Sequence, residues 1–180
     1  RVHVVGVQGF MRVPMHMERM GVDLYALSGH KIHGPKGIGV LAIRSGVRLI
    51  PQITGGGQEK GIRSGTYNSP AILGLHEAVK TLAADKEAVS RMREMKAHLW
   101  MLLSQEEGIQ LNGPKPNEAD SAPHILSLSF DGVRGEVMRN ALEGEGILVA
   151  TGSACASHKQ KVSSTLRAMG LTQAQADGTI

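Results

Sequence analysis

The stretch "VDLYALSGHKIHGPKGIGVLAI", residues 22–43, decides the fold, because two apolar runs enclose one turn rich in glycine, histidine and lysine. The runs at 22–27 and 38–43 predict two strands. The residues between them follow neither a helical nor a strand period. We therefore expect a tight turn that holds Lys31, with His30 and His33 beside it, at the end of a strand.

Lys31 has a chemical and a trivial interpretation. A neutral lysine amine can form an imine with a carbonyl group, whereas a lysine in a surface turn is usually a solvated cation. A phosphate-binding loop is excluded, since "GPKGIG" lacks the GK[ST] ending and precedes a strand. A metal site built from His30, His33 and Cys155 stays open as an alternative, although no CxxC or HExxH motif accompanies them.

Composition sets limits on the class of protein. The chain has 180 residues, 41% hydrophobic and 20% charged, which is a normal globular mixture. Aromatic residues make up only 3%, which argues against nucleic-acid binding by base stacking. No apolar run is long enough to span a membrane. The single cysteine excludes an internal disulfide and indicates a reducing compartment, the cytoplasm.

The remainder of the chain predicts alternating strands and helices, and hence an α/β or α+β class. Apolar spacing over 70–104 predicts one long helix, or two with a bend near Asp85, capped by Ser69 with Pro70 in the first turn. The other predicted strands are at 2–7, 124–130 and 147–150, with a hairpin-like return at 44–51. The other predicted helices are at 14–20, 134–143 and 163–169.

Two more segments carry candidate site residues. "GGGQEKGIRSGT", residues 55–66, offers Arg63, Ser64 and Thr66 on a glycine-rich backbone that suits a phosphate or carboxylate. "TGSACASHKQK" places Cys155 among small residues, where little apolar surface would bury it. An exposed thiolate can act as a nucleophile.

Together these segments resemble cysteine desulfurases of the NifS/IscS type, in the class V aminotransferase-like family. The resemblance is carried by "VQ" at 7–8, 21–41, 55–66 and "GSACAS" at 152–157, in the right order. The short "GSAC" loop is similar to that of the first group of these enzymes. The resemblance implies part of a longer chain with the α/β type I pyridoxal phosphate-dependent transferase (aspartate aminotransferase-like) fold. It implies a partial large domain over 1–70, a connecting helix over 71–104 and a small C-terminal α/β lobe over 105–180.

The resemblance also assigns roles within the site. It implies that Lys31 binds pyridoxal 5'-phosphate covalently, that Ser28 and His30 hold its phosphate, and that Gln8 bonds its phenolic oxygen. Thr66 would reach the phosphate bound by the partner subunit of a homodimer. Cys155 would take the sulfur of L-cysteine, release alanine and pass the sulfur to an acceptor or scaffold protein for iron–sulfur clusters or thio-cofactors.

One residue departs from the family pattern. The strand that reads "HVDAVQ" in the family carries an aspartate that pairs with the pyridine nitrogen, and Val5 stands at that position here. A valine cannot accept that hydrogen bond, so the electron-withdrawing power of the cofactor should fall. Val5 therefore favours one alternative, a catalytically impaired fragment or pseudoenzyme of this fold. A selenocysteine lyase-like pyridoxal enzyme of the same fold stays open as another.

Overall fold

The computed structural model describes residues 1–151 and 163–180. They form two compact units, Arg1–Ala88 and Val89–Ile180, which we describe one at a time. This division falls inside the predicted connecting segment 71–104, and the three predicted domain ranges stay predictions. Cys155 lies outside the described residues. No helix within the described part of the chain is long and apolar enough to cross a membrane.

The first unit contains a three-stranded mixed sheet. Its strands, in spatial order, are β1 (His3–Val5), β2 (Leu24–Ser28) and β3 (Gly39–Ile43). β1 runs parallel to β2, and β3 runs antiparallel to it. The three strands predicted here are confirmed, but β1 ends early because the chain turns after Gly6, whose carbonyl accepts the N–H groups of Gly9 and Phe10 at 3.0 and 2.8 Å. The carboxyl ends of the parallel pair consequently lie at one edge of the sheet.

A buried aspartate anchors the opposite end of β2. Asp23 accepts a hydrogen bond from Val2 N at 2.7 Å and pairs with the guanidinium of Arg44. The Val2 N–H, helped by the charges of Arg44 and Arg1, lowers the pKa of Asp23 although desolvation opposes this. Asp23 therefore ties the first residues of the chain to the start of β2 and fixes the register of β1.

Two helices follow the long glycine-rich segment. They are α1 (Ser69–Ala84) and α2 (Ala88–Leu103), so the alternative with a bend near Asp85 is confirmed. The helix cap predicted at Ser69 is wrong by one residue. The side chain of Asn68 accepts the Ala71 N–H at 3.2 Å, and Ser69 is already the first residue of α1.

In its described residues the second unit contains nearly all of α2, a short antiparallel pair of strands and three further helices. The strands and the further helices are β4 (Ile109–Leu111), β5 (Leu128–Phe130), α3 (Gly135–Gly144), α4 (Ser164–Ala168) and α5 (Gln173–Asp177). Leucine and phenylalanine alternate with serine over 126–130, and this alternation predicts Ser129 on the exposed side of its strand; that prediction is wrong. Ser129 is fully buried because it exchanges hydrogen bonds with Asn112 and lies 2.8 Å from Thr179 Oγ1.

Three predicted elements are absent from these described stretches. Residues 14–20 form only a single turn, which Gly21 ends with φ 66° while Val22 N bonds back to Met17 O. One turn is too short to stabilise a helix. Residues 44–51 and 147–150 form no strand. Strands need a hydrogen-bonding neighbour, and neither segment has one within the described part of the chain.

Candidate active site

Lys31 lies in a 3₁₀ turn that follows β2 directly. The turn spans Gly29–Ile32 and ends at His33, a non-glycine residue in the left-handed region with φ 64°. The backbone N–H groups of His33 and Gly34 both donate to Gly29 O, the second at 2.9 Å. Lys31 is half-buried while His30 is exposed. The predicted turn at the end of a strand is therefore confirmed, and its backbone is closed by its own hydrogen bonds.

Tight packing against α1 fixes the position of this turn. A Cβ added at Gly29 would lie 2.8 Å from Ile38 Cγ2 and 3.3 Å from Leu75 Cδ1. A Cβ added at Gly74, on α1, would lie 2.5 Å from the ring of Pro35. Only glycine permits both approaches. Ile32, which is 1% exposed, completes the contact from inside the turn.

Gln8 and Ser28 lie at the same sheet edge as Lys31. Gln8 sits in the turn at 7–12 that follows β1, which we call the Gln8 turn. Ser28 is the last residue of β2, and its hydroxyl makes no capping hydrogen bond with the following turn. The parallel register places Val5 opposite Ala26, so the side chains of Val5, Ala26 and Ser28 share one face. The structure thus brings together three segments of the predicted site: the Gln8 turn, the end of β2 and the lysine turn.

Val5 stands on this face as an exposed apolar residue. Its relative exposure is 69%, although it belongs to a strand. Among the described strand residues that share its face, none is acidic; these are His3, Leu24, Ala26, Ser28, Gly39, Leu41 and Ile43. The three strands therefore supply no carboxylate near the position that the family pattern gives to an aspartate.

Thr66 lies on a separate segment of the same unit, 55–66, which is folded on itself. Ile53 pairs with Arg63 as a β-bridge, and Gly65 N donates to the side-chain oxygen of Gln58 at 3.0 Å. Ser64, one of the residues considered for anion binding, is 4% exposed and accepts the Gly57 N–H at 3.4 Å. Ser64 therefore organises the loop, whereas Thr66 is exposed.

Backbone strain concentrates in these segments. In the described part of the chain, the non-glycine residues with positive φ are Met11, His33, Glu59 and Lys60. Met11 follows Gln8 in its turn, His33 ends the lysine turn, and the other two lie in 55–66. Such conformations cost free energy and cluster at functional sites. Their distribution supports a functional role for the Gln8 turn, the lysine turn and the segment 55–66.

The residues present match most of what pyridoxal 5'-phosphate requires. Lys31 offers an amine, Ser28 and His30 offer donors for a phosphate, and the Gln8 amide can donate to a phenolic oxygen. The match fails at Val5, which offers nothing to the ring nitrogen. No group of three His, Cys, Asp or Glu side chains that could hold a metal occurs in the described ranges, and Cys155 of the alternative metal site lies outside them.

Sequence reasoning missed Arg12. Its guanidinium Nη2 donates to the backbone carbonyl of Lys31 at 2.8 Å. No motif or period marks this residue in the sequence, because it acts on a backbone atom 19 positions away in the chain. Only the three-dimensional arrangement identifies it.

Comparison with known proteins identifies the family. The model of the class-V aminotransferases matches residues 1–177. The chain belongs to this family. It is 39% identical over 181 residues to a protein named cysteine desulfurase IscS from Klebsiella pneumoniae, a match that covers 99% of this chain and 44% of that protein. It is 42% identical over 160 residues to a NifS/IcsS protein homolog from Lactobacillus delbrueckii subsp. bulgaricus, covering 88% of this chain and 41% of the other.

The fold agrees with that assignment. A solved NifS-like protein superposes with a TM-score of 0.80 at 36% identity, covering 99% of this chain and 45% of its own. The predicted α/β transferase fold of the pyridoxal phosphate-dependent family is therefore confirmed. The chain spans under half the length of the curated relatives named above.

Proposed function

We propose that the protein containing this chain is a pyridoxal 5'-phosphate-dependent cysteine desulfurase. The observation that carries the proposal is the lysine turn: an amine after β2, beside Ser28 and Gln8, in a family whose named relatives include cysteine desulfurases. The reaction converts L-cysteine to L-alanine and leaves its sulfur on the enzyme. The named relatives favour this function over the alternatives, a selenocysteine lyase-like enzyme or an impaired member of the fold.

Each residue of the sheet edge has a defined task in this proposal. Lys31 provides the amine that holds the cofactor covalently and can move protons at its Nζ. Ser28 and His30 hold the phosphate, and Gln8 donates to the phenolic oxygen and so orients the ring. The cofactor, when bound, supplies the electron sink that the protein side chains lack. The closed backbone of the turn keeps Lys31 and His30 in fixed relation to each other before substrate binds.

Cys155 receives the sulfur. The bond between the β-carbon and sulfur of the substrate breaks as a sulfur–sulfur bond forms at Cys155. The carbon is reduced and takes a proton to give alanine, while the two sulfurs become a persulfide, so no other oxidant or reductant is needed. Small neighbours on both sides of Cys155 in the sequence support a role as an accessible nucleophile.

The proposal extends to the partners of the protein. We propose a homodimer in which exposed Thr66 reaches the phosphate held by the other copy, and a sulfur-acceptor or scaffold protein that takes the persulfide sulfur. The lone cysteine supports a reducing, cytoplasmic setting, because a persulfide forms from a free thiol. Direct binding to nucleic acid or to a membrane forms no part of the proposal.

The test uses the full-length protein with Lys31→Ala, Cys155→Ser and, as a matched control from the same turn, Lys36→Ala. Borohydride trapping and peptide mapping should place the pyridoxyl label on Lys31. Cys155→Ser should retain the cofactor but lose alanine and persulfide production. Lys36→Ala should retain the cofactor and still produce alanine and persulfide. A label on Lys36, or sulfur transfer that survives Cys155→Ser, would refute the assignment.

A further inference from the structure

The Gln8 turn and the lysine turn come from distant parts of the chain but must keep a fixed spacing. Their strands pair over only three residues, from His3 opposite Leu24 to Val5 opposite Ala26, with one more backbone bond from Gly6. Beyond Gly6 the two backbones are no longer paired with each other, although β2 continues to pair with β3 up to Ser28. A ladder this short gives little restraint to the turns beyond it.

One side chain joins the two turns. We propose that Arg12 is a positioning residue that holds the Lys31 backbone against the Gln8 turn; this rests on the proposed function. Its Nη2 lies 2.8 Å from Lys31 O, and the contact is partly buried. Hydrogen bonds from a charged donor are stronger than neutral ones, and a partly dry setting strengthens them further.

The backbone of the Gln8 turn directs Arg12 toward this contact. Phe10 N and Val13 N donate to Gly6 O and Gly9 O, each at 2.8 Å. Met11, immediately before Arg12, adopts φ 61°, a conformation that a non-glycine residue holds only where the surroundings enforce it. The residue with the strained backbone therefore immediately precedes Arg12, whose side chain binds the Lys31 carbonyl.

The carbonyl that Arg12 binds belongs to the end of a short helical turn. Carbonyls in the last turn of a helix lack a partner within the helix and need one elsewhere. The Gly29 carbonyl takes the N–H groups of His33 and Gly34, and the Lys31 carbonyl takes Arg12. Releasing it would free the backbone that carries the reactive amine, and a displacement of about 1 Å lowers rates roughly a hundredfold.

The test compares Arg12→Met, which removes the donors, with Arg12→Lys, which keeps a donor and the charge. Arg19→Met is the matched control, since Arg19 is exposed on the following segment. In full-length protein without cofactor, Arg12→Met should speed hydrogen exchange of the His33 and Gly34 amides about tenfold or more, corresponding to loss of a charged hydrogen bond. Arg19→Met should leave both unchanged.

The second readout is spectroscopic. With pyridoxal 5'-phosphate added, Arg12→Met should weaken cofactor retention about tenfold and shift the pH midpoint of its visible absorbance band, and Arg12→Lys should restore the midpoint at least in part. Unchanged amide exchange in Arg12→Met, or an unchanged midpoint with equal retention, would overturn the role. If Arg12→Met fails to fold, Arg12→Gln, which removes the charge but keeps an amide donor, must speed exchange of the His33 and Gly34 amides or the role is refuted. If the wild type retains no cofactor the proposed function fails, while the exchange experiment still decides on Arg12.

Discussion

Replacing Gly6 by alanine tests whether the end of β1 depends on contact with the Tyr25 ring. A Cβ built at Gly6 would lie 1.9 Å from Tyr25 Cζ and 2.1 Å from its hydroxyl oxygen, far inside van der Waals contact. Tyr25 is 6% exposed, and its hydroxyl donates to Gly6 O at 3.3 Å, so the ring has little room to move away. Burial also raises the pKa of Tyr25, as expected for a phenol held in a dry position.

Overpacking of this kind costs about 1–3 kcal/mol. A loss of about 2 kcal/mol would raise the population of locally open β1–β2 pairs about thirtyfold. This is measurable as faster exchange of the backbone amide at position 6, which bonds to Ala26 O, after correction for the intrinsic exchange rates of glycine and alanine. Gly9→Ala is the matched control, since its Cβ would come no closer than 3.8 Å to Val13. The Tyr25→Leu background removes the ring, so Gly6→Ala should cost little there, and a double-mutant cycle measures the coupling. Equal effects of Gly6→Ala with and without the ring would refute this account.

Two other predictions concern the same sheet. Val5→Asp in the full-length protein should speed the proton-transfer steps of turnover more than it tightens cofactor binding, as measured by single-turnover kinetics against cofactor titration; unchanged turnover would mean that the ring is tuned otherwise. Because the pKa of Asp23 is lowered in the folded state, its stabilisation is present above the ordinary carboxyl range and is lost as pH falls through the folded pKa below about 4. In Asp23→Asn, the free energy of unfolding should therefore change less with pH in acid, while its change with pH from neutral to alkaline conditions should equal that of the wild type. The same pH dependence in acid for both proteins would contradict this.

Sequence reasoning located the lysine turn because its signals are local. An apolar run that stops at Ser28, followed by glycine and proline, indicates a strand that ends in a turn. The same reasoning placed Ser129 on an exposed face, because alternation cannot show that Asn112 and Thr179 enclose it with polar partners. It also predicted a strand at 147–150, where the apolar composition is right but the described part of the chain offers no neighbouring strand.

The candidate site shows the same contrast between local signals, which the sequence carries, and contacts between residues distant in the chain, which it does not. Lys31, Ser28 and Gln8 were chosen by resemblance, and their placement at one sheet edge follows from the parallel pairing of β1 with β2. The side chains that hold them were not predictable in this way. Arg12 binds a backbone carbonyl, and the Tyr25 ring packs where Gly6 has no side chain. Neither contact produces a recognisable spacing or motif in the sequence.

The lysine turn is held from three directions, and each restraint has a different physical origin. Gly29 N donates to Ile38 O on the approach to β3, the Pro35 ring packs on Gly74 of α1, and Arg12 binds the Lys31 carbonyl. The first is a hydrogen bond between uncharged backbone groups and the second is a steric contact, so salt should leave both unaffected. The third carries a full charge, though partial burial limits its screening. The lysine turn can therefore lie close to α1 because Gly29 and Gly74 have no side chains. Its spacing to the Gln8 turn depends instead on the guanidinium cation of Arg12.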